Sequence, residues 1–93
     1  MLLQQIFTAS ESILEEALTL SQAGDALLLA ADGCYLTQSR TLDTAFSEIA
    51  VFALEEDMVS RGLSATSPVT YKTLTDTEWV ELTARAQQIK SWP

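Results

Sequence analysis

Two unbroken apolar runs, Ala26-Leu27-Leu28-Leu29-Ala30-Ala31 and Ile49-Ala50-Val51-Phe52-Ala53-Leu54, set the tightest limit on what this chain folds into. Neither alternates with polar residues, so neither reads as a strand with one face in water. Leucine favours helix over strand, but the first run is short and is flanked by Gly24 and by Asp32-Gly33. Length and flanking glycines favour strands buried on both faces, which belong in a parallel sheet covered by helices.

The remaining segments fit that frame. Leu2 to Phe7 reads as a first strand. Thr8-Ala9-Ser10-Glu11 offers capping-box spacing, with Ser10 and Ser12 as competing caps. Ile13, Leu14, Ala17, Leu18 and Leu20 recur at helical spacing, Glu11, Glu15 and Glu16 face away, and Gly24 closes the helix. Tyr35 to Ser47 predicts a short irregular helix or loop. Glu55 to Arg61 predicts a short helix with acids in its first turn and a cation in its last, stopped by Gly62. Val69-Thr70-Tyr71 predicts a brief strand. Thr75 or Asp76 caps a final helix with Trp79, Val80, Thr83 and Ala86 on one side and Glu78, Glu81 and Arg85 on the other; Gln88 to Trp92 is a terminal strand. The expected fold class is α/β: one small domain over residues 1–93, with a mostly parallel sheet of about five strands and helices on both faces. So few short helices hardly cover such a sheet, which leaves surface for a partner.

Composition narrows the functions available. Of 93 residues, 47% are hydrophobic, and the formal net charge is −8. The five cations (Arg40, Arg61, Lys72, Arg85 and Lys90) are scattered, so no direct grip on nucleic acid is expected. No apolar run approaches the ~20 residues of a membrane span, and the N-terminus lacks a basic n-region, so no membrane association is expected. A lone cysteine, Cys34, fits a reducing compartment, and the expected location is cytoplasmic. Histidine is absent, which removes the commonest general base and metal ligand together. No metal site and no cofactor are expected.

Gly24, Gly33 and Gly62 lie too far apart for a phosphate-binding loop and read as helix ends and turns. Glu55-Glu56-Asp57 points in different directions on a helix and reads as an N-terminus stabilised by negative charge rather than as an ion site. Cys34 is the one candidate nucleophile. It follows a strand end, where open α/β sheets place functional groups, yet it has no histidine to activate it and no cation close by in sequence, and the favoured reading is a small buried hydrophobe. Trp79 and Trp92 are candidate partner-interface residues; core packing is the favoured reading for Trp79, while Trp92 suits either role.

Four stretches taken in order resemble the TusB/DsrH family of sulfur-relay proteins. They are Gly24-Asp25-Ala26-Leu27-Leu28-Leu29 into Asp32-Gly33; Val51 through Asp57-Met58-Val59-Ser60-Arg61-Gly62-Leu63; Thr75-Asp76 through Trp79-Val80-Glu81-Leu82-Thr83; and the terminal Ser91-Trp92. The second is the most specific. The resemblance implies a flavodoxin-like domain of the DsrE/DsrF/DsrH type. It also implies a heterohexamer with TusC- and TusD-like subunits that takes persulfide sulfur from TusA and passes it to TusE. In that pathway the sulfur reaches 2-thiouridine at the tRNA wobble position; the DsrEFH counterpart traffics sulfur during sulfur oxidation. In both, the main sulfur-carrying cysteine belongs to the TusD/DsrE-type chain. Some DsrH-type members carry a cysteine in the first helix, where this chain has Ala17, and Cys34 matches no family sulfur site. The expectation is therefore a non-catalytic structural subunit, not an enzyme, able to self-associate when alone. The alternatives are a thiol sulfurtransferase carrying persulfide on Cys34, or a DsrEFH-type subunit in sulfur oxidation.

Overall fold

The apolar run at Ala26–Leu29 becomes β2, the middle strand of the sheet, with all four residues buried. It pairs in parallel with β1 (Leu2–Ile6) on one side and with β3 (Ala50–Leu54) on the other. β4 (Lys72–Leu74) extends the sheet beyond β3, and β5 (Gln88–Trp92) lies along the free side of β1. The order is β4-β3-β2-β1-β5, every pairing parallel, in a computed structural model that describes residues 1–43, 48–64 and 71–93. Among the described residues no helix is long and apolar enough to cross a membrane.

The connections explain why helices lie on both faces. From β1 to β4 the strands step in one direction, through α1 (Glu11–Leu20), a 3-10 helix (Ala31–Gln38), α2 (Arg40–Asp43) and α3 (Glu55–Ser60). The last connection, α4 (Asp76–Arg85), returns across the sheet to the far side of β1. Right-handed crossovers in opposite directions put their helices on opposite faces. The core divides accordingly. Ile6, Leu27, Leu29, Val51 and Ala53 pack with Leu14 and Ala17 of α1, Leu36, Leu42 and Met58. Their alternates Leu3, Ala26, Leu28 and Leu54 pack with Leu82 and Trp79 of α4. Fully burying one such leucine contributes ~1.5–3 kcal/mol, so the two continuous runs account for much of the folding drive.

Local chemistry sets the helix ends. Ser10 is the cap of α1: its Oγ accepts from the Ile13 N–H at 3.4 Å, while Ser12 only contacts Ser10 Oγ. Thr75 caps α4 with both arms of a capping box, since Glu78 N–H donates to Thr75 Oγ1 and Thr75 N–H donates to the Glu78 carboxylate. Those bonds hold the Glu78 carboxyl below its usual range, the Thr75 backbone N–H contributing most.

Three sequence expectations shift in detail. On α4 the core-facing residues are Trp79, Leu82 and Ala86, whereas Val80 is 64% exposed. One residue is about 100° of helix, enough to turn Val80 out when Trp79 points in. Of the strand expected at Val69-Thr70-Tyr71, the first two residues lie outside the described residues, and β4 begins just after the buried Tyr71. An edge strand reading Lys72-Thr73-Leu74 buries only its leucine, so no apolar run marks it. Within Tyr35 to Ser47, expected to be irregular, the chain forms the end of the 3-10 helix and then α2; residues 44–47 lie outside the described residues.

Candidate functional site

At the carboxyl end of the sheet, where β1, β2 and β3 finish, the chain turns sharply into the 3-10 helix. The Ala30 N–H donates to the Ile6 carbonyl at 3.0 Å, and Gly33 then passes against the end of β1. A Cβ at position 33 would stand 2.1 Å from the Ile6 carbonyl oxygen, so only glycine fits this approach. Ala31 takes a left-handed conformation, φ 50°, which an L side chain tolerates only where its surroundings impose it.

What imposes it is α3. Asp57 Oδ2 accepts from the Ala31 N–H at 2.7 Å, a short charge-assisted bond. One turn later Arg61 reaches across the same loop. Its guanidinium lies 3.1 Å from Asp32 Oδ1, and its Nη1 also donates to the Asp57 carbonyl at 3.3 Å. Gly62, at φ 66°, ends the helix, and the Gly62 and Leu63 N–H groups close onto the Val59 and Met58 carbonyls. The segment Asp57-Met58-Val59-Ser60-Arg61-Gly62-Leu63, which carries the most specific sequence resemblance, is therefore a clamp that holds the β2 turn against α3.

Beneath that clamp lies Cys34. Its side chain is 0% exposed, with Sγ 3.5 Å from the Leu29 carbonyl. Burial, and next the negative charge of Asp57, push the thiol up to about 11; Arg61 opposes this only in part. The cation near Cys34 comes from a helix distant in sequence and is already engaged with Asp32. A thiol kept protonated and covered is a weak nucleophile.

The two tryptophans fall on opposite faces and are each tied to β1. Trp92 Nε1 donates to Gln4 Oε1 at 3.0 Å, and Gln4 Nε2 in turn donates to the Ala17 carbonyl and to Ser21 Oγ. Trp79 Nε1 donates to Gln5 Oε1 at 2.8 Å, while Gln5 Nε2 donates to Ser91 Oγ. Two adjacent glutamines in a buried strand thus satisfy two indoles and fix β5 against β1. Both rings are half-buried: Trp79 packs on the α4 side, and Trp92 packs on the α1 side with Lys90 Nζ 4.5 Å from its ring centre. Nothing in the bare sequence marks Gln4 and Gln5 as members of this network, because polar residues in a short N-terminal strand ordinarily face water.

Away from the clamp, Glu55, Glu56 and Val59 of α3 and Thr75 and Asp76 at the start of α4 line an open groove of about 310 Å³. The triple Glu55-Glu56-Asp57 therefore splits, with Asp57 turned to the Ala31 N–H and the two glutamates toward the groove. Among the described residues no group of three or more cysteine or acidic side chains gathers as a metal site.

Comparison with known proteins places this arrangement. The solution NMR structure of protein Tm0979 from Thermotoga maritima superposes with a TM-score of 0.68 over 90% of this chain and 92% of that one. Identity is 19%, so the likeness is one of fold. No curated protein matches the chain. A family profile described as DsrH like protein matches residues 8–89, from the entry to α1 into β5 and through the whole clamp. With the match covering most of its length, the chain belongs to the DsrH-like family of sulfur-relay proteins.

Proposed function

We propose that this chain is a non-catalytic structural subunit of a TusBCD-type sulfur-relay complex, assembled with TusC- and TusD-like chains as a heterohexamer. In this reading the complex hands persulfide sulfur along a relay that ends in 2-thiouridine at the tRNA wobble position. The transferable sulfur rides on the cysteine of the TusD-like partner. Family membership supports the sulfur-relay setting. The observation that carries the non-catalytic assignment is Cys34, fully covered, with its thiol pushed up to about 11. A persulfide carrier needs an accessible thiolate to accept and release sulfur. Ala17, buried on the inner face of α1, offers no alternative carrier.

The test is co-purification of the tagged chain with its TusC- and TusD-like neighbours, sized by light scattering, followed by sulfur transfer with Cys34→Ser in the assembly. A complex of about six chains that transfers sulfur without Cys34 supports the reading. Loss of transfer in an otherwise intact Cys34→Ser complex overturns it in favour of a sulfurtransferase role for Cys34.

A further inference from the structure

We propose that β5 is a self-association edge: two copies of this chain pair their β5 strands antiparallel across a twofold axis, with Ile89 opposite its counterpart and Val80 of α4 alongside. The inference needs only this chain and is independent of the subunit reading above.

β5 closes one side of the sheet and is bonded to β1 on one flank only. The Phe7 N–H donates to the Trp92 carbonyl at 3.0 Å, so Trp92, and Lys90 two residues before it, turn their main-chain groups to β1. Ile89 and Ser91 alternate with them and turn theirs away from the sheet. Strand edges left open in this way template pairing with another chain, and lysine is a common guard against it. Here Lys90 Nζ lies 4.5 Å from the centre of the Trp92 ring, folded over the α1 face of its own strand.

The α4 face of the same strand is uncovered. On α4, Trp79, Leu82 and Ala86 point to the core, and Glu78, Glu81 and Arg85 line a groove with Lys72 and Leu74 of β4. Each residue turns the helix ~100°, so Val80 and Thr83 lie on the opposite flank, toward β5. Ile89 pairs with Leu3 and shares its face, yet it is 47% exposed. Val80 is 64% exposed. Two exposed aliphatic residues thus border one ledge, whereas Leu20, Tyr35 and Val59 stand on three other elements.

Charge and hydrogen bonding select the occupant. The chain carries a net charge of −8, and α1, α3 and α4 expose Glu11, Glu15, Glu16, Glu55, Glu56, Asp76, Glu78 and Glu81. Two copies repel each other at those surfaces. β5 has no carboxylate, and Val80, Thr83, Ile89 and Ser91 are neutral. A second copy brings the same outward N–H and C=O groups, which antiparallel pairing satisfies reciprocally, and the same isoleucine. An axis centred on Lys90 sets like charges opposite each other, and one centred on Ser91 sets Ile89 against Pro93, which has no N–H. An axis centred on Ile89 sets Lys90 opposite Gln88 instead. β4, the other edge, is three residues long and bordered by Glu78 and Glu81.

The experiment is light scattering and sedimentation equilibrium of the chain alone over a range of concentrations at moderate salt. Wild type is compared with Ile89→Lys, Val80→Lys and, as a control of equal charge on α3, Val59→Lys. The expected result is a wild-type dimer weakened about tenfold or more by Ile89→Lys, less by Val80→Lys, and within about twofold by the control. Thermal melts identify any variant that fails to fold, and a crosslink then decides. In a Cys34→Ala background, Ile89→Cys should join two copies under mild oxidation, because strand partners lie within disulfide reach, while Val59→Cys should not. A monomeric wild type, a dimer as strong with Ile89→Lys as with the control, or a crosslink no faster from position 89 than from position 59 overturns the proposal. Each of those results leaves assembly with sister subunits, and so the subunit reading, untouched.

Discussion

Consider iodoacetamide added to the folded chain near neutral pH, with Cys34 as its only thiol target. Reaction requires thiolate, and raising the thiol from 9.0 to about 11 lowers the thiolate fraction about a hundredfold, ten for each unit. Burial adds a second factor, because the reagent reaches Sγ only when the clamp opens, and each ~1.4 kcal/mol of opening free energy costs another factor of ten. Alkylation of the native chain, followed by mass spectrometry, should therefore run more than about a hundredfold slower than in urea at the same pH. The sign of the pH linkage follows from the same shift. Below about pH 9 the thiol is protonated in both states and stability is unaffected; between about 9 and 11 only the unfolded thiol ionises, and stability falls. The loss approaches ~3 kcal/mol at its limit, two units at ~1.4 each, and should be absent from Cys34→Ala. Native labelling within about tenfold of the unfolded rate would refute the argument, and with it the assignment of sulfur transport to a partner chain.

Other perturbations test the scaffold that keeps Cys34 covered. Asp57→Ala leaves the Ala31 N–H without its acceptor and should cost ~1–3 kcal/mol in urea unfolding while speeding Cys34 labelling, whereas Asp57→Asn should restore part of both. Gly33→Ala forces a Cβ against the Ile6 carbonyl and should destabilise by ~1–3 kcal/mol or more, read as a lowered melting temperature. Thr75→Ala removes one arm of the α4 capping box and should cost ~0.5–2 kcal/mol. For Trp92, Trp92→Phe deletes the indole N–H to Gln4 together with part of the ring that packs on the core and should cost ~1–3 kcal/mol; comparing its melt with its assembly separates a folding role from an interface role.

The α/β class and most of the elements were legible because burial on both faces leaves a one-dimensional mark. A strand between two neighbours and two helical layers has no position for a polar residue, so β2 and β3 stand out as apolar runs. Helix ends carry their own chemistry, so Thr75 and Ser10 announced α4 and α1 as local features. Edge strands carry a weaker mark: β4 was expected a few residues early because only Leu74 is buried in it.

The candidate site was much less legible, since its geometry joins residues far apart in the chain. Asp57 and Arg61 stood out as a specific segment, but their meaning depends on Ala31 and Asp32 meeting them across the top of the sheet. Cys34 read from the sequence more as a small buried hydrophobe than as a nucleophile, but what keeps its thiol protonated, burial first and the nearby charge of Asp57 second, exists only once α3 is packed over it. The strand order was also a tertiary outcome. Nothing local tells β5 to return past β4, β3 and β2 to the free side of β1, nor Gln4 and Gln5 to receive an indole on each face. By itself, then, the sequence determined the elements and the layered class, because propensity, capping and burial pattern act on neighbouring residues. Only the tertiary structure decided which side chains meet at the carboxyl end of the sheet and which thiol is covered, because desolvation and long-range hydrogen bonds exist only once distant segments are packed together.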